Sequence, residues 1–357
     1  MSIIGIAGTA KNTGKTTTLN ALLHHAQKLS ATIGVTSIGY DGEEIDNITA
    51  LPKPRIFFHH GMFASTSLSC VPVTGWNIVQ RTGITTALGE IVIVRCETPG
   101  LLVLAGPNKR HELEIVLQYM HRFGCSTIIV DGSLNRIAPL SVVDTIIFTT
   151  GAARTTDISA LVGEMKAIEF FFQFGISRQR NNQETSSINV SLSEVKNLTV
   201  SSELLTGAII DAIEVEQLLQ QYVEKFHAHH NWNWISINGF ITSAGLQTLV
   251  EKILLMSGTE RPLEIIFSDP IVLLLAGEAQ QTKQLLSPLR AQHITISYHK
   301  TIQLAAITVN PFYPEYREKT FSPASIDSAL LLSTMQRSLR TPVYDIFQTS
   351  LPKEIVS

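Results

Sequence analysis

Short apolar runs alternate with longer stretches of helical spacing along most of the chain. "SIIGIAG" (2–8) is an apolar run ending on glycine, and "TTTLNALLHHAQKL" (16–29) repeats its apolar residues as a helix does. "IGVTSIG" (33–39) and "PRIFFHH" (54–60) follow as buried-strand candidates, and "EIVIVRCETPGLLVLAG" (90–106) reads as two strands joined at Thr98-Pro99-Gly100. "HELEIVLQYMHRFG" (111–124) is an amphipathic helix stopped by Gly124. "STIIVDG" (126–132) and "DTIIFTTG" (144–151) are two more β-branched runs. Strands alternating with helices predict an α/β fold, its mostly parallel sheet covered on both faces. The polar stretch "SRQRNNQETSS" (177–187) reads as a linker, after which the alternation resumes with "LLTGAIID", "NWISINGF", "LEIIFSD", "HITISYH", "LAAITVNP" and "VYDIF". The expected division is a nucleotide-binding domain over 1–180 and a second α/β domain over 188–357, a candidate for partner binding.

Composition narrows the classes. The 357 residues are 44% hydrophobic and 16% charged, enough to fill substantial cores. A net charge of −3 without a long basic run argues against nucleic acid as the main partner. Cys70, Cys96 and Cys125 are an odd, scattered set with no CxxC pair, which reads as reduced thiols in a cytoplasmic protein. No apolar run approaches the roughly 20 residues that span a bilayer. The apolar stretch Ile3 to Ala7 is too short for a signal peptide, so neither membrane nor export is expected.

The candidate chemistry begins in "GTAKNTGKTTT" (8–18). Loops that cradle phosphates follow G-x-x-x-x-G-K-[ST], and counting back from Gly14-Lys15-Thr16 puts the first glycine at residue 9. Residue 9 is Thr, and Gly8 stands one place early. Phosphates need a run of backbone N–H groups, a glycine before the helix, a lysine, and a hydroxyl for magnesium. Gly14, Lys15 and Thr16 supply the last three, between a strand and a helix. Thr9, Ala10, Lys11, Asn12, Thr13, Gly14, Lys15, Thr16 and Thr17 are therefore the candidate nucleotide-binding residues, with Lys15 also catalytic and ATP the expected nucleotide. "AKNTGKTTT" resembles the loops of the P-loop branch that includes dethiobiotin synthetase, the MobB-type GTPases and the MinD-type ATPases. Several members carry an extra loop lysine. Lys11 lies four residues before Lys15 rather than the five of the MinD type, so a phosphate contact and a solvated loop charge both stand open for it.

Two carboxylates suit the Mg²⁺ side. Asp131 closes the strand "TIIVD" where a metal-holding acid would be, although Asp-Gly is also a common turn pair. Asp41 lies in "GYDGEEID" (39–46), at the carboxyl end of a strand, and is the candidate for positioning water or touching magnesium. The same stretch holds Glu43, Glu44 and Asp46; a solvated acidic turn is the equal alternative for Asp41 and the reading for Glu44 and Asp46. "TTGAART" (149–155) either approaches the base or is a plain strand-to-helix turn. "AGPN" (105–108) either offers N–H groups to a γ-phosphate or is an ordinary helix entry. The histidine groups His24-His25, His59-His60 and His227/His229/His230 lack ligand spacing with Cys or acid partners and read as surface or packing residues.

Three separated segments carry a closer resemblance. "VTSIGYDGEEIDNITALPKPRI" (35–56), "IIVDGSLNRIAPLSVVDTIIFTTGAA" (128–153) and "LAAITVNPFYPE" (304–315) are similar to the ATP-binding subunit of the lysine 5,6-aminomutase reactivase family, from bacteria that ferment amino acids. Pro52-Lys53-Pro54-Arg55 and the stretch from Asp131 to Arg136 are its most distinctive parts, whereas 180–250 resembles it poorly. The resemblance implies a chaperone-like ATPase that works with a second subunit to release damaged cobalamin from a cobalamin-dependent aminomutase. Its nucleotide motif carries over to Lys15, Thr16 and Asp131. Two other readings compete: an ATP-dependent small-molecule ligase resembling dethiobiotin synthetase, and a nucleotide-sensing module with little turnover.

Overall fold

Strand β1 (Ser2–Gly8) is buried beyond Ser2, as a strand covered on both faces by helices must be. It belongs to a computed structural model that describes residues 2–27, 32–41, 54–132, 137–178, 187–190, 207–211, 234–256, 263–292, 294–317 and 320–348. After β1 the chain forms α1 (Lys15–Gln27), β2 (Ile33–Ser37), β3 (Tyr40–Asp41), β4 (Phe57–Phe58) and β5 (Phe63–Ser67). The hairpin β6 (Trp76–Thr86) and β7 (Gly89–Cys96) follows, then the short β8 (Gly100–Leu101) and β9 (Leu104–Ala105). Next come α2 (Arg110–Arg122), β10 (Thr127–Asp131), β11 (Thr145–Gly151) and α3 (Ile158–Phe171). A second run contains β12 (Ser187–Val190), β13 (Gly207–Asp211), β14 (Trp234–Asn238), α4 (Ser243–Met256), β15 (Glu264–Phe267), α5 (Pro270–Leu275), α6 (Ala279–Ala291) and β16 (Thr295–Tyr298). The chain ends with β17 (Gln303–Asn310), the hairpin β18 (Phe312–Arg317) and β19 (Thr320–Ser325), α7 (Ser328–Ser338) and β20 (Val343–Asp345).

Two compact units result: Met1–Met165 together with Gln303–Ser357, and Lys166–Ile302. The first unit is built on a nine-stranded sheet in the order β20-β17-β11-β1-β10-β2-β5-β7-β6. Neighbours from β20 to β5 run parallel, and the pairs β5–β7 and β7–β6 are antiparallel, so β7 is the one reversed strand of this sheet. The expected α/β architecture with a large, mostly parallel sheet is therefore present. Helix α1 lays Leu19, Leu22, Leu23 and Ala26 onto Ile4, Ile6, Val35, Ile129 and Ile147, the centre of the core. The second unit holds a five-stranded sheet, β12 to β16 in sequential order and parallel throughout. Within it, the buried Tyr298 hydroxyl donates to Phe171 O at 2.7 Å. Among the described residues no helix is long and apolar enough to cross a membrane.

The division differs from the boundary expected at 180–188. The strands "LAAITVNP" and "VYDIF" join the N-terminal sheet as β17 and β20, and β17 buries Ala306, Ile307 and Val309 beside β11. An apolar run declares a buried strand but not which sheet receives it. Two further strands lie outside the apolar pattern. β5 is "FASTS", polar in sequence yet buried throughout, because its hydroxyls are consumed locally: Thr66 Oγ1 donates to Val103 O at 2.7 Å, and Ser65 pairs with Thr36. β6 is a half-exposed edge strand with mixed composition. "PRIFFHH" contributes only the two residues of β4, paired with β8. Cys96 and Cys125 pack as buried thiols, and burial pushes Cys125 up to about 12. The expected linker over 177–187 lies largely outside the described residues.

Candidate functional site

Strands β1 and β11 are neighbours whose onward connections part: β1 leads to β2 on one side of the sheet, and β11 leads eventually to β17 on the other. Parallel sheets open a crevice at the carboxyl ends of such strands. The loop Thr9–Gly14 occupies it. The register aligns Gly8 with Thr149, Gly151 with Asn310, and Ile6 with Asp131, so the ends of four strands surround the loop.

The loop backbone alternates in the sign of φ. Asn12 has φ 62°, the only positive φ of a non-glycine among the described residues, and Gly14 has φ 99°. Thr13 between them has negative φ. Alternating signs at successive residues turn their N–H groups to one side and form a concavity for a negative group. The loop runs directly into α1, whose first N–H groups have no intrahelical acceptor and whose dipole favours an anion. Lys15 and Thr16 begin that helix, both part-exposed. The Lys15 ammonium lies 3.5 Å from Ala10 O, reaching back over the loop.

The displaced glycine has a packing cause. A Cβ on Gly8 would sit 2.6 Å from Thr13 Oγ1 and 2.8 Å from Thr149 Oγ1, so residue 8 must lack a side chain. Thr9 is buried instead, with its hydroxyl donating to Thr150 Oγ1 at 3.0 Å and its N–H to Thr149 O at 2.9 Å. Thr13 Oγ1 lies 3.0 Å from Ala10 O and 2.9 Å from Thr149 Oγ1. Thr18 and Thr308 join hydroxyls at 3.0 Å beneath the helix. Asn310 Nδ2 donates to Asn12 O at 2.8 Å. The loop is thus held from below by side chains of β11 and β17, each bond contributing about 1 kcal/mol net.

The other candidates fall into place unevenly. Asp131 is buried at the carboxyl end of β10, the strand beside β1. Thr16 and Asp131 offer a hydroxyl and a carboxylate of the kind magnesium takes, while keeping most of its waters. Among the described residues no three His, Cys, Asp or Glu side chains group as a metal site. Lys11 is exposed at the loop's tip, and Ala10 and Thr17 are part-exposed. Asp41 pairs through its backbone with Leu104, and Tyr40 with Ala105, so the "GYD" and "AGPN" segments stand side by side. Gly106 N–H is engaged with Gly39 O at 3.0 Å and Ser37 Oγ at 3.1 Å, and Pro107 has none. Within "AGPN", Gly106 therefore braces β2, and the segment leads in to α2. Glu43, Glu44, Asp46, Lys53, Arg136 and His227/His229/His230 lie outside the described residues. "TTGAART" meets the loop through Thr149 and Thr150, at its strand end rather than at its turn. Thr308 and Asn310 went unpredicted as loop contacts, although strands that end in Thr or Asn after an apolar run are a usable signal.

No family model matches the chain, and no match was found among the curated proteins.

Proposed function

We propose that this chain is a P-loop NTPase that binds Mg-ATP in the Thr9–Thr17 loop and uses its turnover to remodel a partner protein. The observation that supports it is the concavity formed by the alternating φ of residues 12 to 14, set at a helix N-terminus beside Lys15. An anion there meets N–H groups, a helix dipole and an ammonium together. Lys15 would offset charge on the β- and γ-phosphates, and the backbone would orient them. Thr16 and Asp131 would hold the metal, which supplies charge neutralisation at the bridging phosphate oxygens. Asp41, at the strand end paired with Leu104, is the candidate for orienting an attacking water.

The remodelling role, the second subunit and the cobalamin-dependent aminomutase client rest on the resemblance of the 35–56, 128–153 and 304–315 segments to the reactivase family. ATP can drive cofactor release only if the nucleotide states bind the client with different affinity, about 5 kcal/mol for a nearly complete shift. The test starts from an aminomutase retaining damaged cobalamin, to which this protein, the second subunit, Mg-ATP and fresh adenosylcobalamin are added. Recovery of activity that requires ATP is the expected result. ATP turnover stimulated by a metabolite instead would favour the ligase reading, and tight ATP binding with negligible turnover the sensor.

Asp131→Asn separates metal from nucleotide. It retains an oxygen ligand but loses the charge that attracts the cation. Nucleotide affinity without metal should stay within about twofold, and Mg²⁺-dependent turnover should fall about tenfold or more, the effect of weakening one charge-assisted contact. An unchanged magnesium titration would return Asp131 to the role of a turn residue before Gly132.

A further inference from the structure

Asn310 stands at the end of β17 and makes two bonds in opposite directions. Its Nδ2 donates to Asn12 O at 2.8 Å, and its Oδ1 accepts from Phe312 N at 3.0 Å. The amide orientation follows from chemistry, since a carbonyl needs a donor and an N–H needs an acceptor. The first bond holds the loop's one left-handed residue that is not glycine, Asn12. The second fixes the first residue of the β18–β19 hairpin. Its own backbone is pinned as well, with Asn310 O accepting from Ala152 N at 2.9 Å. Among the described residues the hairpin's strands pair with each other alone; Phe312 sets its ring edge-on to Phe347 at 5.3 Å, and Tyr316 is exposed. A two-stranded ribbon is marginally stable alone, so its anchors, the Asn310 bond and the Phe347 contact among them, bear on how well it is ordered.

We propose that Asn310 is a positioning residue that sets the anion-binding shape of the loop and carries its occupancy to the β18–β19 hairpin. This rests on the nucleotide-binding reading of the loop. Asparagine tolerates the left-handed region better than other non-glycine residues, and the Asn310 carboxamide is the side chain that grips the Asn12 carbonyl there. Filling the concavity favours the conformation Asn310 holds. By reciprocity, what steadies Asn310 also steadies the peptide at Phe312.

The experiment measures Mg-ATP affinity by calorimetry and hydrogen exchange of residues 312–325 with and without Mg-ATP, in wild type, Asn310→Ala and Asn310→Asp. Asn310→Ala removes both bonds; Asn310→Asp keeps the acceptor for Phe312 N and loses the donor to Asn12. Wild-type hairpin amides are expected to exchange more slowly when ATP is bound. Asn310→Ala should weaken ATP about tenfold, the worth of one bond to a strained loop. In Asn310→Asp, at saturating ATP, the hairpin should show the protection of the free wild type but no further protection from nucleotide. That split, with the turn intact and the response lost, is one that a purely structural role does not produce. Hairpin protection that ignores ATP in a wild type that binds it would overturn the proposal. So would an Asn310→Asp hairpin that still responds. A wild type that does not bind ATP at all would instead remove the functional reading beneath it.

Discussion

Lys15→Ala is expected to abolish nucleotide binding at working concentrations while the protein stays folded. The ammonium makes one long contact, 3.5 Å to Ala10 O, and the side chain is part-exposed, so little of the fold depends on it. Alanine is also the best helix former at the start of α1. What is lost is the ammonium that starts α1 and reaches back over the loop; Lys11, the loop's other cation, lies exposed. Removing one partner of a charge-assisted contact to phosphate costs about 3 kcal/mol, which weakens binding by a factor of about 150. Calorimetry with Mg-ATP checks the affinity, and thermal melting of the free protein checks the fold. If Lys15→Ala binds as tightly as wild type, the nucleotide site lies elsewhere in the chain.

What could be read in advance was local. "SIIGIAG", "STIIVDG" and "DTIIFTTG" became β1, β10 and β11 because unbroken apolar runs between turn residues have few other fates in an α/β chain. The place of Gly14-Lys15-Thr16 between a strand and a helix was legible for the same reason, since β1 and α1 flank it directly. The scaffold beneath the loop was not. Thr149 and Thr150 arrive on β11, and Thr308 and Asn310 on β17, about 140 to 300 residues away, and only sheet order brings them to the loop. Gly8 shows the limit well. In sequence it is a glycine one place out of register with a motif, whereas in the fold it is the position where Thr13, Thr149 and Lys15 converge. β5 was hidden because "FASTS" satisfies its hydroxyls within the protein, on Thr36 and on loop carbonyls, rather than in water.

The same dependence on distant strands makes Gly151→Ala a strongly damaging small substitution in the first unit. Gly151 has φ 155°, a conformation that side chains rarely adopt. A Cβ there would lie 1.9 Å from Asn310 O and 2.8 Å from Asn310 C and N. These are backbone atoms in the β11–β17 ladder, where Gly151 pairs with Asn310, so no rotamer change can make room. The methyl must push β17 away, straining the bond from Ala152 N to Asn310 O at 2.9 Å and drawing Asn310 from Asn12. Strain at a special φ together with a broken ladder bond should cost about 3 kcal/mol or more. Gly175→Ala is the control, since a Cβ there meets nothing within 4 Å. In urea unfolding the Gly151→Ala midpoint should fall by about 1 M or more while the control stays near wild type. The variant that still folds should also bind Mg-ATP more weakly, because the peptide that Asn310 holds is displaced. A Gly151→Ala protein with a wild-type midpoint would mean that β17 does not pack against β11 in this register, and the loop's support from Asn310 would fall with it.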